Sequence, residues 1–217
     1  MPVFARNYRV ITVDLPGHGR SELPKDGVYS IGRFAGAVES VRAAANVSEA
    51  VLVGHSMGVP VIARYAQDYP GHARSLVFVD GLIPDAPMRA EGRKYAPAEG
   101  ASARKSREET ITSMFSAHMT PADRRHVLSM MLKPSDVVAR RAMLALYDDA
   151  AMHERVIDLP VYGIFSAALK DEYVTATKTL FPALHYDRMP DTGHFLMIER
   201  PKEFNRLLLA FLRSLSF

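Results

Sequence analysis

The feature that most constrains this chain is a run of β-branched residues that ends abruptly in the pattern Gly-x-Ser-x-Gly. Residues 51–53 predict a short buried strand and residues 59–69 predict a helix, so Ser56 falls at the turn between them. Gly54 and Gly58 lack a Cβ where we expect the strand and the helix to approach closely. This arrangement allows a strained backbone at Ser56 with an exposed hydroxyl, as in a nucleophile elbow.

The elbow predicts the chemistry of an activated serine. We expect the helix that follows Ser56 to point its N-terminus at the reacting centre, with the amide of Met57 as a donor to a developing oxyanion. Because a serine hydroxyl is a poor nucleophile at neutral pH, it needs an imidazole to accept its proton and a carboxylate to orient that imidazole. The chain must therefore also supply a histidine and an acid that reach Ser56.

Composition excludes several classes of protein. The 217 residues are 48% hydrophobic and 24% charged, which is enough for one large core, and the formal charge of +3 is spread along the chain rather than gathered in a nucleic-acid patch. The absence of Cys excludes disulfides, thiolate catalysis and zinc–thiolate sites. Neither an apolar signal core nor an apolar run of about 18 residues is visible. We predict a cytoplasmic protein without a nucleic-acid or membrane partner, and a homo-oligomer stays open.

Strand and helix patterns alternate through the first eighty residues. Residues 9–14 predict a buried strand covered on both faces, and residues 31–45 predict a helix with Ser30 as its N-cap. After the elbow and its helix, residues 75–80 predict another buried strand. This order is typical of a parallel α/β sheet with right-handed crossovers.

The pattern changes over residues 83–158, where strand signals are absent and prolines punctuate amphipathic helices predicted at 108–119, 122–132 and 135–147. The sheet pattern then resumes. The remaining predicted elements are a strand at 159–165, a helix at 172–181, a strand at 184–189 and a final amphipathic helix at 201–215.

Three ordered motifs carry a family resemblance: VDLPGHGRS at 13–21, GHSMGVP at 54–60 and DTGHFLMIERPKEFN at 191–205. Together they resemble the α/β-hydrolase superfamily. The resemblance implies an α/β fold with a mostly parallel sheet flanked by helices, formed by residues 1–82 and 159–217, with residues 83–158 as an all-helical cap insertion. It also implies a carboxylesterase-like serine hydrolase that cleaves a small ester and needs no metal or organic cofactor.

The resemblance also assigns the other site residues. In the family, a Gly-His-Phe in the loop before the last helix carries the catalytic base, which here is His194, although a loop histidine that caps the helix is the rival interpretation. The loop of the first motif is mainly structural in the family. We therefore predict that Asp14, His18 and Ser21 fix this loop.

The acid is open between two residues. Family members usually place it after the strand that corresponds to 161–165, where this chain offers Asp171 two positions late and at a predicted helix start. Some relatives draw the acid from the end of the preceding strand, where this chain has Asp80. We favour Asp80 and keep Asp171 as the alternative.

Relatives begin with three further strands, and a His-Gly loop after the third supplies a second oxyanion donor. No His-Gly motif precedes Asp14, so the chain is expected to be N-terminally truncated relative to the family. The strands at 9–14 and 51–53 would then pair directly, be bridged by another chain, or belong to a longer protein. Because loss of one oxyanion donor costs about 100- to 1000-fold in turnover, the alternative function is a non-catalytic small-ligand-binding protein or an inactive fragment.

Overall fold

The structure is a computed structural model that describes residues 2–94, 100 and 102–215. Residues 1 and 216–217 of the predicted core, and residues 95–99 and 101 of the predicted cap, lie outside the described residues.

A four-stranded parallel sheet organises the described chain. The strands are β1 (Ala50–His55), β2 (Ala73–Val79), β3 (Val161–Ser166) and β4 (Leu184–Met189), and they lie in that order in the sheet. Their register sets His55 opposite Val79, and Val79 opposite Ile164. The carboxyl ends of all four strands therefore meet at one edge, which is where open α/β sheets bind ligands.

Helices connect and cover these strands. They are α1 (Ile31–Ala44), α2 (Gly58–Asp68), α3 (Ala86–Lys94), α4 (Ala103–Ser113), α5 (Pro121–Met131), α6 (Asp136–Leu146), α7 (Asp171–Lys178), α8 (Leu196–Glu199) and α9 (Pro201–Ser214). Short 3₁₀ helices lie at Phe4–Arg6 and Asp149–Ala151. The Ser30 side chain accepts a hydrogen bond from the amide of Arg33, so the predicted N-cap of α1 is confirmed.

Alternating side chains of β2 fill two cores on opposite faces of the sheet. Leu76 and Phe78 are fully buried on the face covered by α2 and α7. Val77 and Val79 are buried on the other face, beneath α9. Such burial of both faces is why β2 ends in a continuous apolar run in the sequence.

The prediction of a buried strand at residues 9–14 is wrong. The segment forms no strand, and Val10 and Ile11 are 37% and 41% exposed. Among the described residues no backbone hydrogen bond joins it to β1, so direct pairing of the two segments is also contradicted. An apolar segment becomes a strand only when a neighbour completes its hydrogen-bond ladder. As a result β1 lies at the sheet edge, and Val53 is 49% exposed.

All the regular secondary-structure elements described between β2 and β3 are helices. Helices α5 and α6 have Thr120 and Ser135 as N-caps, and the cap side chains accept hydrogen bonds from amides three residues later. Helix α4 begins earlier than predicted and buries Ala103, Arg107 and Ile111 at a spacing of four residues. Ile111 also joins a small core with residues of α5 and with Phe195, which precedes α8.

None of the described helices has the length and apolar character needed to cross a lipid bilayer.

Candidate active site

The turn between β1 and α2 holds Ser56 in a conformation that is uncommon for a residue with a side chain. Its φ is 53°, its amide donates to the carbonyl oxygen of Val79 at 3.0 Å, and its carbonyl accepts from the amide of Val59 at 2.9 Å. Such left-handed backbone costs about 1–3 kcal/mol and persists only where the surroundings impose it. In the described chain the Ser56 hydroxyl has no hydrogen-bond partner and is not fully buried.

Only one of the two elbow glycines is required by close packing. A Cβ on Gly54 would lie 2.3 Å from the carbonyl oxygen of Gly58, whereas a Cβ on Gly58 would meet nothing within 4 Å. The predicted close approach of strand and helix is therefore confirmed, and it requires the absence of a Cβ at Gly54 but not at Gly58. A third glycine, Gly81, completes the packing, because its Cβ would lie 2.5 Å from the carbonyl oxygen of Ser56.

Asp80 follows β2 and contacts His194 directly. Its Oδ2 accepts from His194 Nδ1 at 2.8 Å, and its Oδ1 accepts from the amide of Ser166 at 2.7 Å. The residue is 5% exposed and its φ is 38°. Burial raises the pKa of Asp80, but the hydrogen bonds from His194 and Ser166 outweigh burial and hold the pKa below its usual value. The carboxylate is thus charged and oriented at neutral pH.

The alternative acid, Asp171, lies elsewhere. It is the first residue of α7, its side chain is 79% exposed, and it pairs with the guanidinium of Arg188. Among the described contacts His194 meets Asp80 and not Asp171. The geometry therefore favours Asp80 as the partner of His194.

His194 is bonded through its backbone as well as its ring. Its amide donates to the carbonyl oxygen of Met114 at 3.1 Å, and its carbonyl oxygen lies 2.8 Å from Nε2 of His55. The imidazole rings of His55 and His194 have centroids 4.6 Å apart. Burial lowers the pKa of His55 to about 4, with a smaller contribution from repulsion by His194. His55 was not predicted from the sequence, although its position directly before Ser56 in a parallel strand was the available signal.

Glu199 links Gly193, the residue before His194, to the residues that follow α4. Its Oε2 accepts hydrogen bonds from the amide of Gly193 at 3.0 Å and from the hydroxyl of Ser116. A Cβ on Gly193 would lie 2.6 Å from the carbonyl oxygen of Met114, so this loop and the residues after α4 are in tight contact. This connection was not predicted either, since Ser116 and Glu199 are 83 positions apart in the chain and give no local signal.

The amide of Met57 is the N-cap amide of α2, and no acceptor among the described residues bonds it. It is therefore free to donate to an incoming oxygen at the positive end of the helix. Within the described residues no cluster of three or more His, Cys, Asp or Glu could hold a metal ion.

The first motif forms a hydrogen-bonded loop, as predicted. The Asp14 carboxylate accepts from the amide of Arg20, its carbonyl accepts from the hydroxyl of Ser21, and the His18 ring bonds the carbonyl oxygen of Pro16.

Comparison with known proteins identifies the family. A model of the alpha/beta hydrolase family matches residues 2–207. A non-heme chloroperoxidase from Streptomyces lividans is 37% identical over 81 residues, which are 37% of this chain and 29% of that protein. A putative carbamate hydrolase from Shigella flexneri is 25% identical over 232 aligned positions that cover 99% of this chain and 85% of that protein.

Among solved structures, an esterase from Rhodococcus sp. is similar at a TM-score of 0.78 and 25% identity, covering 100% of this chain and 85% of that one. The parallel sheet and the elbow after β1 both lie within the residues that the family model matches. The chain belongs to the alpha/beta hydrolase family, and hydrolysis is the type of reaction that its relatives support.

Proposed function

We propose that this protein is a serine hydrolase that cleaves a small ester by acyl transfer to water. Ser56 is the nucleophile, His194 is the general base, Asp80 orients His194, and the amide of Met57 stabilises the oxyanion. The observation that carries the proposal is the hydrogen-bonded Asp80–His194 pair at the sheet edge where the strained Ser56 elbow also lies.

The reaction follows from these positions. Ser56 Oγ attacks the ester carbonyl carbon while His194 Nε2 takes the hydroxyl proton, and the carbonyl π electrons move to oxygen facing Met57 N–H. The tetrahedral intermediate collapses, and the alcohol leaves with the proton from His194. Water then attacks the acyl-enzyme with His194 again as base, which releases the carboxylic acid and restores Ser56.

Asp80 determines which nitrogen of His194 is available to accept the serine proton. With Nδ1–H donated to Asp80, the unprotonated nitrogen of neutral His194 is Nε2, the nitrogen that must accept the serine proton. The depressed pKa of Asp80 keeps the carboxylate charged when His194 becomes an imidazolium, so the positive charge is stabilised where it forms.

Residues 83–158 are proposed as a cap that borders the site. The support is that Ile111 and Val127 of the helical segment pack in one cluster with Phe195, the residue next to His194. An apolar wall beside the base suits the hydrocarbon part of a small ester. The relatives described as an esterase and as a putative carbamate hydrolase both carry names for cleavage at a carbonyl, which is consistent with this substrate class.

A fluorophosphonate probe tests the nucleophile. The wild-type chain is incubated with the probe, digested, and mapped by mass spectrometry, alongside Ser56→Ala and a control, Ser40→Ala, on the exposed face of α1. We expect an adduct on Ser56, its loss in Ser56→Ala and its retention in Ser40→Ala. An adduct on another serine contradicts the assignment.

Hydrolysis of p-nitrophenyl acetate and butyrate tests the reaction itself. We expect turnover by the wild type and none above background for Ser56→Ala. If the folded wild type neither hydrolyses these esters nor takes up the probe, yet binds small apolar esters saturably, the alternative function as a non-catalytic ligand-binding protein replaces the present one.

A further inference from the structure

His55 occupies the position where β1 meets the elbow, and it contacts the base rather than the nucleophile. Its Nε2 lies 2.8 Å from the carbonyl oxygen of His194. Its ring is tilted by 42° against the His194 ring and also packs against Phe195 at a centroid distance of 5.7 Å. One side chain of β1 therefore contacts both residues of the loop that delivers the base.

The hydrogen bond determines the tautomer of His55. A carbonyl oxygen only accepts, so Nε2 of His55 must carry the proton. In the neutral ring Nδ1 is then unprotonated. The titratable groups that face this ring are His194, on the loop after β4, and Asp80, after β2.

This contact completes the restraint of His194. The amide of His194 is bonded to Met114, its ring Nδ1 is bonded to Asp80, and its carbonyl oxygen is bonded only by His55 among the described side chains. Without the donor on His55, the peptide that follows His194 loses its anchor on the sheet, and the imidazole is free to turn away from Asp80. A misplacement of about 1 Å at a reacting group costs up to about 100-fold in rate.

The charge of His55 matters because His194 gains a proton during the reaction. A second imidazolium 4.6 Å away would oppose that proton. Burial lowers the pKa of His55 to about 4, so the ring is neutral throughout the range in which an esterase of this kind works.

We propose that His55 is a positioning residue: as a neutral Nε2–H donor it anchors the carbonyl of His194 and thereby holds the base against Asp80. The kinetic part of this proposal rests on the serine-hydrolase function proposed above. The positional part concerns the state of His194 itself and does not need turnover to be measured.

Two substitutions separate the donor from the bulk of the ring. His55→Phe keeps the ring and removes the donor, and His55→Gln places an amide N–H near the position of Nε2. The control is His185→Phe, on the exposed surface of β4, where the ring contacts Tyr162 and Phe211 rather than the site. For p-nitrophenyl butyrate we expect His55→Phe to lower kcat about 10- to 100-fold with little change in KM. His55→Gln is expected to recover most of this loss, and His185→Phe to match the wild type.

Proton NMR of histidine-labelled protein supplies the readout that a merely structural role would not move. In the wild type and in His55→Gln we expect a low-field Nδ1–H signal from His194, hydrogen-bonded to Asp80, and in His55→Phe we expect that signal to broaden or vanish. The ring of His55 itself should stay neutral when the wild type is titrated from pH 8 to about 5.

Several outcomes overturn the proposal. They are a kcat for folded His55→Phe within about twofold of the wild type with the low-field signal intact, an equal loss in His55→Gln and His55→Phe, or a wild-type His55 that titrates near its ordinary value. If the wild type does not turn over esters, the proposed function fails and the NMR signals alone decide the role of His55. If His55→Phe does not fold, the wild-type titration and His55→Gln decide it.

Discussion

The substitution Asp80→Asn tests the pairing on which the proposed reaction depends. Asn retains the shape of Asp80 and tolerates its positive φ, so we expect the fold to persist. The asparagine has one acceptor oxygen where the carboxylate has two. If that oxygen keeps the amide of Ser166, its NH₂ group faces His194 Nδ1 and requires that nitrogen to be unprotonated.

The wrong tautomer then places the proton on Nε2, the nitrogen that must accept it from Ser56. In a serine protease this change lowers kcat about 10,000-fold, which corresponds to about 5.4 kcal/mol of activation free energy. The reversed amide orientation does not rescue the variant, because its NH₂ group would then face the N–H of Ser166. The effect on the free energy of unfolding should be smaller, about 1.5–3 kcal/mol for one hydrogen bond to a charged group.

The matched control is Asp171→Asn, which removes a charge from an exposed residue paired with Arg188. Initial rates with p-nitrophenyl butyrate and rates of fluorophosphonate labelling are measured for both variants, with circular dichroism as the check of folding. We expect Asp80→Asn to lose nearly all activity and Asp171→Asn to stay within about twofold of the wild type, as exposed ion pairs contribute little. Comparable mild effects from both substitutions, or a larger effect from Asp171→Asn, would refute the reasoning.

Three further predictions concern stability. Gly54→Ala should lower the free energy of unfolding by about 3 kcal/mol or more, because the added Cβ would overlap the backbone of Gly58. Gly58→Ala should be neutral or stabilising by up to about 1 kcal/mol. Thermal denaturation measures both variants, and equal effects would contradict the close approach of β1 and α2 at Gly54. Hydrogen bonds from Arg42 and other neighbours lower the pKa of Glu39 to about 2, so its stabilisation is complete above the ordinary value of 4.5 and is lost as the pH falls toward 2. In urea unfolding the deficit of Glu39→Gln, about 1–3 kcal/mol at pH 7, should therefore shrink toward zero near pH 2, and a pH-independent deficit would count against this account. Arg107→Met removes the buried guanidinium that donates to the carbonyls of residues 131 and 134 and to the carboxylate of residue 136. Relative to the wild type, we expect this substitution to accelerate amide hydrogen exchange more in residues 103–146 than in the sheet strands, and an equal acceleration in both regions would contradict this prediction.

Elements whose signal is local could be predicted from the sequence. The strand at 184–189 matches β4 at both ends, and the cap at Ser30 was identified from residue type alone. The elbow at Ser56 was also evident, since apolar periodicity and the spacing of two glycines are properties of neighbouring residues.

The acid could not be predicted with the same clarity. Asp80 ends one predicted strand and Asp171 follows another, and both have an ordinary explanation as a loop or helix-start carboxylate. What separates them is the distance to His194, which lies 114 positions along the chain from Asp80. Only the packing of β2 beside β3, and of β3 beside β4, brings that pair together.

The segment at 9–14 shows the same limit from the opposite side. Its residues have every local property of a buried strand, yet Val10 and Ile11 are exposed and the segment has no ladder. Side-chain pattern is a property of the segment, whereas strand formation is a property of two segments, because each backbone N–H and C=O needs a partner on a neighbour. The side-chain pattern therefore identified segments that are able to form strands. The tertiary structure decided which of those segments became strands and which carboxylate contacts His194.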